Sequence, residues 1–598
     1  MLETGADTNS SGAKRRFGAK CVSIAVAAVA LGFIAIAAAA DAATSDDASA
    51  VLAGNHPDEA AEFASEPAAP PSRTLTMHLT MALRNRADLD RLLEDQQNSA
   101  SPDYHRWLTA EQFTQRFGPT DSGIAIVTGW LKRKGFTVKS ASARSRDVAF
   151  TGTVEKSQNA FGVKIAATAD GKLYTNINDP SVPAALAPLI DSIHGLDNLL
   201  HSVPVGHFTS ANIDAVAPDA HLNGFGNAFG PGDMATFYDS TPLLSQQIDG
   251  SNTDCIALAE DSNLDRSGAG AFNSHFGLPA FTGGNFQTIL VDGSDPGING
   301  DGGETMVDVN YAHAAAPGAK IAVYVGDPNN SVSGSGLLDA ILLSVQDNTC
   351  GAISISFSLC GAPAKFYQTL GTVFAQAATQ GQSVFVATGD DGAAGLVLDK
   401  KQRACVVANK PTVNELAASP SVTAVGGTQF TPNFDGNGDD VGFVAESAWN
   451  DAFGATGGGR SKVFKKPSFQ AGLFVKDKKR DLPDISLGAG PDSPGFFFGD
   501  PATEVFLVGG TSVGTPYWAG ISELIAQSKG TLRVGNLNTR LYQLGAMASP
   551  DTTGIRDVTS GNNSFGGVAG FNAIAGYDKA TGWGTVDIGV FVPAFIGM

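Results

Sequence analysis

Charge is scarce in this 598-residue chain. Asp, Glu, Lys and Arg make up 16% of it, against roughly 25% in an average soluble domain. What charge there is leans acidic, with a formal net charge of −20, which disfavours nucleic acid or a bare anionic membrane as an electrostatic partner. A surplus of carboxylates also suits an acid medium, where protonation relieves self-repulsion. Cysteine is rare, five in all, with no Cys-x-x-Cys and no Cys/His cluster, so nothing suggests zinc. The nine histidines are scattered, and none stands in a His-Gly-Thr motif. His194-Gly195 is followed by Leu196, and His313 sits in Tyr311-Ala312-His313-Ala314, the setting of an ordinary helix histidine. A nucleophile in this chain finds no obvious imidazole base.

What is present begins with an export signature. Lys14, Arg15, Arg16 and Lys20 precede an apolar stretch from Cys21 to Ala40, and Ala40-Asp41-Ala42 offers a small-x-small cleavage site. Residues 1–42 read as a signal peptide, although a stretch of about 20 residues can also stay as a membrane anchor. The cysteines beyond it, Cys255, Cys350, Cys360 and Cys405, predict two disulfides in any of three connectivities.

The length allows two or three domains, and 71 glycines with 43% hydrophobic residues describe a packed, loop-rich protein. Residues 45–205 read as a separate α+β (ferredoxin-like) unit. Leu75 to Leu79, Phe136 to Val138 and Val148 to Phe150 are strand-like, Ala87 to Asn98 and Val154 to Phe161 helical, and Thr109-Ala110-Glu111-Gln112 is a capping box. A Gly/Ala/Asn-rich linker occupies 206–232. Residues 233–598 alternate helical patterns with short apolar runs at Cys255 to Ala259, Thr288 to Val291, Ile321 to Val325, Ile353 to Phe357, Val384 to Ala387 and Val422 to Val425. Such a pattern predicts an α/β fold with a parallel sheet buried on both faces by helices. Functional residues then collect at the carboxyl edge of the strands. Asp390, after Val384 to Ala387, and Ser512, after Val505 to Val508, meet that expectation.

Gly510-Thr511-Ser512-Val513-Gly514-Thr515-Pro516 places Ser512 in the first turn of a helix behind a glycine turn, where backbone N–H groups and the helix dipole stabilise a substrate oxyanion. Gly302-Gly303-Glu304-Thr305-Met306-Val307-Asp308 supplies a carboxylate base. Glu304 and Asp308, four apart, share one face of a helix that is otherwise apolar.

These motifs, with Thr388-Gly389-Asp390-Asp391-Gly392, Val425-Gly426-Gly427-Thr428, Glu446-Ser447-Ala448-Trp449-Asn450, Gly457-Gly458-Gly459 and Gly576-Tyr577-Asp578, stand in the order found in the sedolisins, the serine-carboxyl peptidases, which the chain resembles. Ser101-Pro102-Asp103-Tyr104-His105-Arg106-Trp107 resembles the activation-domain signature of the pro-kumamolisin type. The resemblance implies a subtilisin-like fold and a catalytic set of Ser512 as nucleophile, Glu304 as base, Asp308 orienting it, and a protonated Asp390 in the oxyanion hole. It implies one structural Ca2+ on Asp557 and Asp578 and the carbonyls of Val558, Ile574 and Gly576, and substrate contacts at Ser356, Gly457 and Gly458. Three departures from the family pattern bear on substrate preference. Ser356-Phe357-Ser358-Leu359-Cys360 lacks the usual glycine and acidic residue, Thr456 replaces a serine, and Glu260 faces a position without the indole of some members.

The reading is a secreted acid endopeptidase, with periplasmic or anchored placement also open, that activates itself. Its partners are peptide substrates and its own inhibitory prodomain, with no nucleic acid and, after signal cleavage, no membrane. The alternatives are a catalytically silent binding protein and a histidine-based protease of the subtilisin type.

Overall fold

The computed structural model describes residues 48–211 and 228–597, apart from 292, 330–334, 436–439, 492–494, 500–504 and 548. The expected signal segment and most of the expected linker, 212–227, lie outside the described residues.

The N-terminal unit folds around its own core. Strands β1 (Thr74–Met81), β2 (Thr137–Ser142), β3 (Asp147–Thr153) and β4 (Ile190–His194) form an antiparallel sheet in the order β2-β3-β1-β4. Helices α1 (Arg86–Asp95), α2 (Ala110–Phe117), α3 (Asp121–Arg133) and α4 (Val154–Phe161) accompany it. Leu75, Met77, Leu79, Trp130, Phe136, Phe150 and Phe161 make the buried cluster. The Thr109/Gln112 capping box closes the start of α2 as its sequence requires.

The unit docks through the Tyr104-His105-Arg106-Trp107 motif and through β4. Leu108 N–H donates to Thr379 O at 2.9 Å, the Trp107 ring packs against residues 381 and 535, and His105 Nδ1 lies 3.2 Å from Lys529 Nζ. On β4, Asp191 pairs with Lys365 at 2.6 Å and Ser192 accepts from Thr369 at 3.0 Å.

Past β4 the chain leaves the unit as two short strands, β5 (His201–Pro204) and β6 (His207–Ala211). The large domain follows. Strands β7 (Cys255–Glu260), β8 (Phe286–Leu290), β9 (Lys320–Val325), β10 (Ala352–Ile355), β11 (Phe357–Cys360), β12 (Ser383–Ala387), β13 (Thr423–Phe434), β14 (Asp440–Ala448) and β15 (Ile485–Gly488) are its main strands. All but β11 build one eight-stranded sheet, β8-β9-β7-β10-β12-β13-β14, with β15 also paired to β13. Every pairing is parallel except β13 with β14.

The strands are apolar on both sides because both sides are covered. Ile256, Leu258, Ile321 and Val323 face a cluster with helices α5 (Gly302–Ala315) and α8 (Thr511–Lys529). Ala257, Ala259, Ala322 and Tyr324 face helices α6 (Gly336–Asp347) and α7 (Ala364–Thr379). Helices α5 and α8 approach closely because their contact is made by small residues. A Cβ added at Gly520 would lie 2.5 Å from Ala315 Cβ. This contact fixes Glu304 and Ser512 relative to each other.

Two sequence expectations change. The run from Ile353 to Phe357 is broken at Ser356, so β11 turns away from the main sheet and pairs with β5. The strand before Ser512, β16 (Val505–Gly509), lies outside the parallel sheet, pairing antiparallel with β6 and with Phe496–Phe498. Its apolar run reads as a core strand because periodicity alone cannot say which sheet a buried strand joins. The disulfides are Cys255–Cys350 and Cys360–Cys405. The first ties β7 to the loop before β10, and the second ties β11 to the hairpin at 396–407. Among the described residues no helix is long and apolar enough to cross a membrane.

Burial pushes His105, beside the Lys529 ammonium, down to about 4. Burial also pushes His194 down to about 4, with His78 and Lys365 adding to the effect while Asp147 and Asp191 oppose it. Each is neutral when docked, so its contribution is complete above a free-histidine pKa of about 6.5 and is lost as pH falls toward 4. In the intact full chain, backbone amides at 104–108 and 190–194 should lose hydrogen-exchange protection by about tenfold or more between pH 7 and pH 4.5. Unchanged protection, after correction for intrinsic exchange rates, would show that these histidines do not govern docking.

Candidate active site

Two adjacent helices carry the proposed nucleophile and base. Ser512 is the second residue of α8, behind Gly510 at φ +123°. Glu304 and Asp308 are on α5, whose length from 304 to 315 is buried all round. Ser512, Glu304 and Asp308 are each 0% exposed. Among the described residues no cationic side chain acts on either carboxyl group, and at Asp308 hydroxyls take that place. Ser356 Oγ donates to Asp308 Oδ1 at 2.6 Å and Ser354 Oγ to Oδ2 at 3.4 Å. Thr305 Oγ1 donates to Glu260 Oε2 at 3.2 Å, and Glu260 and Asp308 also interact directly. Glu260 therefore belongs to the network without an indole partner, and Phe357 lies buried on the other face of the sheet.

Burial dominates the electrostatics. It pushes Glu304 well above the usual carboxylate range, with Asp308 and Asp390 adding repulsion. It raises Asp308 to about 7, against the pull of Ser356, Glu260 and Ser354. It raises Glu260 strongly too, helped by Asp308, Glu304 and Asp261. The Ser512 hydroxyl and the Gly206 N–H oppose the rise at Glu304, yet among the described residues neither Glu304 oxygen reaches hydrogen-bond geometry with a partner, nor does Ser512 Oγ. The pair is near enough to interact but short of hydrogen-bond geometry.

Asp390 stands in the turn after β12. Its Oδ1 accepts from Thr511 N at 2.8 Å and from Thr511 Oγ1 at 2.8 Å. Burial raises its pKa to about 8 despite those two donors. With Oδ1 accepting twice, the proton belongs on Oδ2, which has no hydrogen-bond partner among the described residues. A carboxyl group in that state is a donor aimed into the cleft.

The cleft holds the chain's own segment. Strand β5 pairs antiparallel with β11, Val205 N–H donates to Ser356 O at 3.2 Å, and β6 pairs with β16. A Cβ added at Gly510 would lie 2.4 Å from Val205 O and 2.5 Å from Asp390 Oδ2. One added at Gly206 would lie 2.5 Å from Glu304 Oε2. The Val205 carbonyl thus sits beside Gly510 and Asp390, and the Gly206 amide beside Glu304.

Ser356 touches both sides of the chemistry, through its carbonyl to Val205 and its hydroxyl to Asp308. Gly457 is placed behind the oxyanion turn, its N–H donating to Gly389 O at 2.7 Å, and Gly458 packs on Lys579 O. Thr456 Oγ1 accepts from Gly427 N at 2.8 Å, so the threonine keeps a hydroxyl where the family has serine. Thr511, Ser354 and the segment from Val205 to His207 are site residues that sequence reasoning missed. Thr511 stood beside the serine, but its bond to Asp390 spans 121 positions. His313 is a buried helix histidine whose Nε2 lies 2.8 Å from Pro279 O, and no histidine among the described residues is hydrogen-bonded to Ser512.

In the C-terminal loops, Gly576 N donates to Asp557 Oδ2 at 2.7 Å and Ile574 N to Asp578 Oδ2 at 2.9 Å. Burial raises Asp557 and lifts Asp578 to about 6, with no cationic side chain acting on either. Among the described residues the carbonyls of Val558, Ile574 and Gly576 accept no hydrogen bond, and no three His, Cys, Asp or Glu side chains converge. Asp578 Oδ1 also accepts from Ala580 N and Thr581 N at 2.8 Å, and two carboxylates with unused carbonyls beside them are oxygen donors of the kind a hard cation such as Ca2+ takes.

Residues 61–199 match the family model described as Pro-kumamolisin, activation domain. The chain is 31% identical to kumamolisin of Bacillus sp. (strain MN-32) over 84% of this chain and 88% of that one. It is 29% identical to sedolisin of Pseudomonas sp. (strain 101) over 86% of each. The solved structure of Pseudomonas sedolisin, a serine-carboxyl proteinase complexed with pseudo-iodotyrostatin, superposes with a TM-score of 0.51 at 28% identity, covering 64% of this chain and 98% of that one. With its activation unit, its subtilisin-like sheet and its buried serine and carboxyl groups, the chain belongs to the sedolisin family of serine-type peptidases.

Proposed function

We propose that this chain is an exported, self-activating acid endopeptidase that uses Ser512, Glu304 and Asp308 as its catalytic triad and Asp390 as its oxyanion donor. The observation that carries the reading is the extended run of residues 201–211 between β11 and β16, with the Val205 carbonyl beside Gly510 and Asp390 and the Gly206 amide beside Glu304. Export is supported by the basic lead and apolar run ahead of Ala42.

Ser512 Oγ attacks the Val205 carbonyl carbon while Glu304 takes its proton, and Asp308 holds and tunes Glu304. The oxyanion accepts from Asp390 Oδ2–H. The C–N bond then breaks, and Glu304 returns the proton to the departing Gly206 nitrogen. Water, with Glu304 again as base, releases the acyl group from Ser512. An internal bond held this way fits an endopeptidase, and the same segment blocks the cleft until it is cut.

The scheme needs Glu304 ionised and Asp390 protonated, so activity is bell-shaped in pH. Asp390 functions below its raised pKa of about 8, and its contribution is lost as pH rises through that value. An amide donates without titrating. On the activated enzyme, Asp390→Asn should lower turnover by up to about 10²–10³-fold and extend the alkaline limb, while Ser512→Ala and Glu304→Gln leave the precursor uncut at pH 4. A wild-type rate with an unmoved alkaline limb would return Asp390 to an ordinary turn aspartate, and self-cleavage by either of the other variants would refute the triad.

Asp557 and Asp578, with the carbonyls of Val558, Ile574 and Gly576, would hold one Ca2+ that fastens the C-terminal loops. A cation bound only by the folded state stabilises it by mass action. Chelation or Asp578→Ala should lower the melting temperature by several degrees, more at pH 7 than at pH 4, where protonated carboxyl groups already bind weakly. An unchanged melting temperature with no calcium by elemental analysis would reject the site.

A further inference from the structure

Downstream of Gly206 the threaded segment sets His207 in a pocket that the triad does not use. His207 Nε2 lies 3.4 Å from Asp390 Oδ2, and its ring meets Trp449 edge-on with centroids 5.9 Å apart. Asp391 and Asp451 both act on the imidazole to favour its charged form against burial. The effect is mutual at Asp391, where His207 opposes the rise that burial and Asp390 cause. Trp449 Nε1 donates to Asp451 Oδ2 at 2.8 Å. Phe453 N and Gly454 N donate to Asp451 Oδ1 at 2.8 and 3.1 Å.

The aromatic wall and one carboxylate are therefore fixed to each other by groups of the pocket itself. The pocket is more than a cluster of acids, because Asp390 is 3% exposed, its Oδ2 has no hydrogen-bond partner among the described residues, and that atom points at the side chain occupying the pocket. Among the described residues no lysine or arginine contributes to the electrostatics of His207, Asp390 or Asp391. The His207 side chain keeps 35% exposure, so a longer side chain could extend past it toward water.

We propose that Asp391, Asp451 and Trp449 form a subsite for a basic side chain two residues beyond the scissile bond, filled by His207 in the precursor and by Arg, Lys or His of substrates in the activated enzyme. The proposal rests on the reading of Val205–Gly206 as the bond held at Ser512. A cation there sits beside Trp449 and among carboxyl groups that have no other counter-charge among the described residues. A glutamate in the same position meets only like charge or neutral carboxyl groups, and an aliphatic side chain leaves the carboxyl groups uncompensated. Asp390 remains the oxyanion donor, and the two other carboxyl groups set selectivity.

The test uses activated enzyme and four quenched peptides that differ only at the second residue after the cleaved bond, carrying Arg, His, Leu or Glu. At pH 5, kcat/KM for Arg should exceed that for Glu by about tenfold or more, and Asp391→Asn, an isosteric change, should shrink the Arg-to-Leu ratio more than it changes the Leu value. Asp451→Asn should do the same. If that variant does not fold because Trp449 loses its anchor, the comparison is made from the substrate side, where His207→Glu should slow release of the N-terminal fragment and His207→Arg should not. Equal kcat/KM for all four peptides overturns the subsite while leaving the peptidase reading intact. Failure to cleave any of them, or denatured protein, at any acid pH overturns the peptidase reading and the subsite with it.

Discussion

Carboxyl groups buried without cations are the constraint on which the rest of this protein depends. Glu260, Glu304, Asp308 and Asp390 are all at most 3% exposed, and like charges in so little water cannot all ionise. In most proteins a lysine or arginine would resolve such a cluster. Here the partners are Ser354, Ser356, Thr305 and Thr511, which donate hydrogen bonds but bring no charge. Protons must therefore be held within the cluster, and the groups keep raised pKa values as a consequence. In the proposed reading a carboxyl group of this cluster serves as base in acid, where an imidazole would already be charged. The sparse charge of the whole chain, with its acidic excess, is consistent with that setting.

The same acid works in opposite directions on the two halves of the precursor. In the large domain the raised carboxyl groups prefer their protons, so their contribution to stability is fully present below the ordinary carboxylate pKa and is lost as pH climbs through about 7 to 8. At the docking surface of the N-terminal unit, His105 and His194 prefer to be neutral and are penalised as pH falls. Acidification therefore favours the catalytic half and loosens the half that occludes it. The segment between them is held extended by strand pairing to β11 and β16. In the proposed reading it is inhibitor and first substrate at once.

Much of this was legible in residue order. Glu304 and Asp308 could be paired from their spacing and the apolar helix around them, and Asp390 from its turn behind an apolar strand. The helices α2 and α4 and most strands fell where capping and alternation placed them. What could not be read was long-range. The partition of β16 into a separate antiparallel sheet depends on pairing with residues about 300 positions away, which no local pattern encodes. The hydroxyls on Asp308 come from Ser354 on β10 and from Ser356 at the break after it, 46 and 48 positions distant. The Gly/Ala/Asn composition after residue 206 marks a linker, but the extended run just before and into it forms strands only because two sheet edges in the cleft await partners.

The central claim is that the cleft holds one particular peptide bond of its own chain in register with Ser512. Intact-mass analysis of purified precursor brought to pH 4, sampled before a tenth of it has reacted, reads that register directly. The account predicts a first product broken between Val205 and Gly206, with further trimming only later. A first break at another bond, whether before His201 or beyond Ala211, would contradict it.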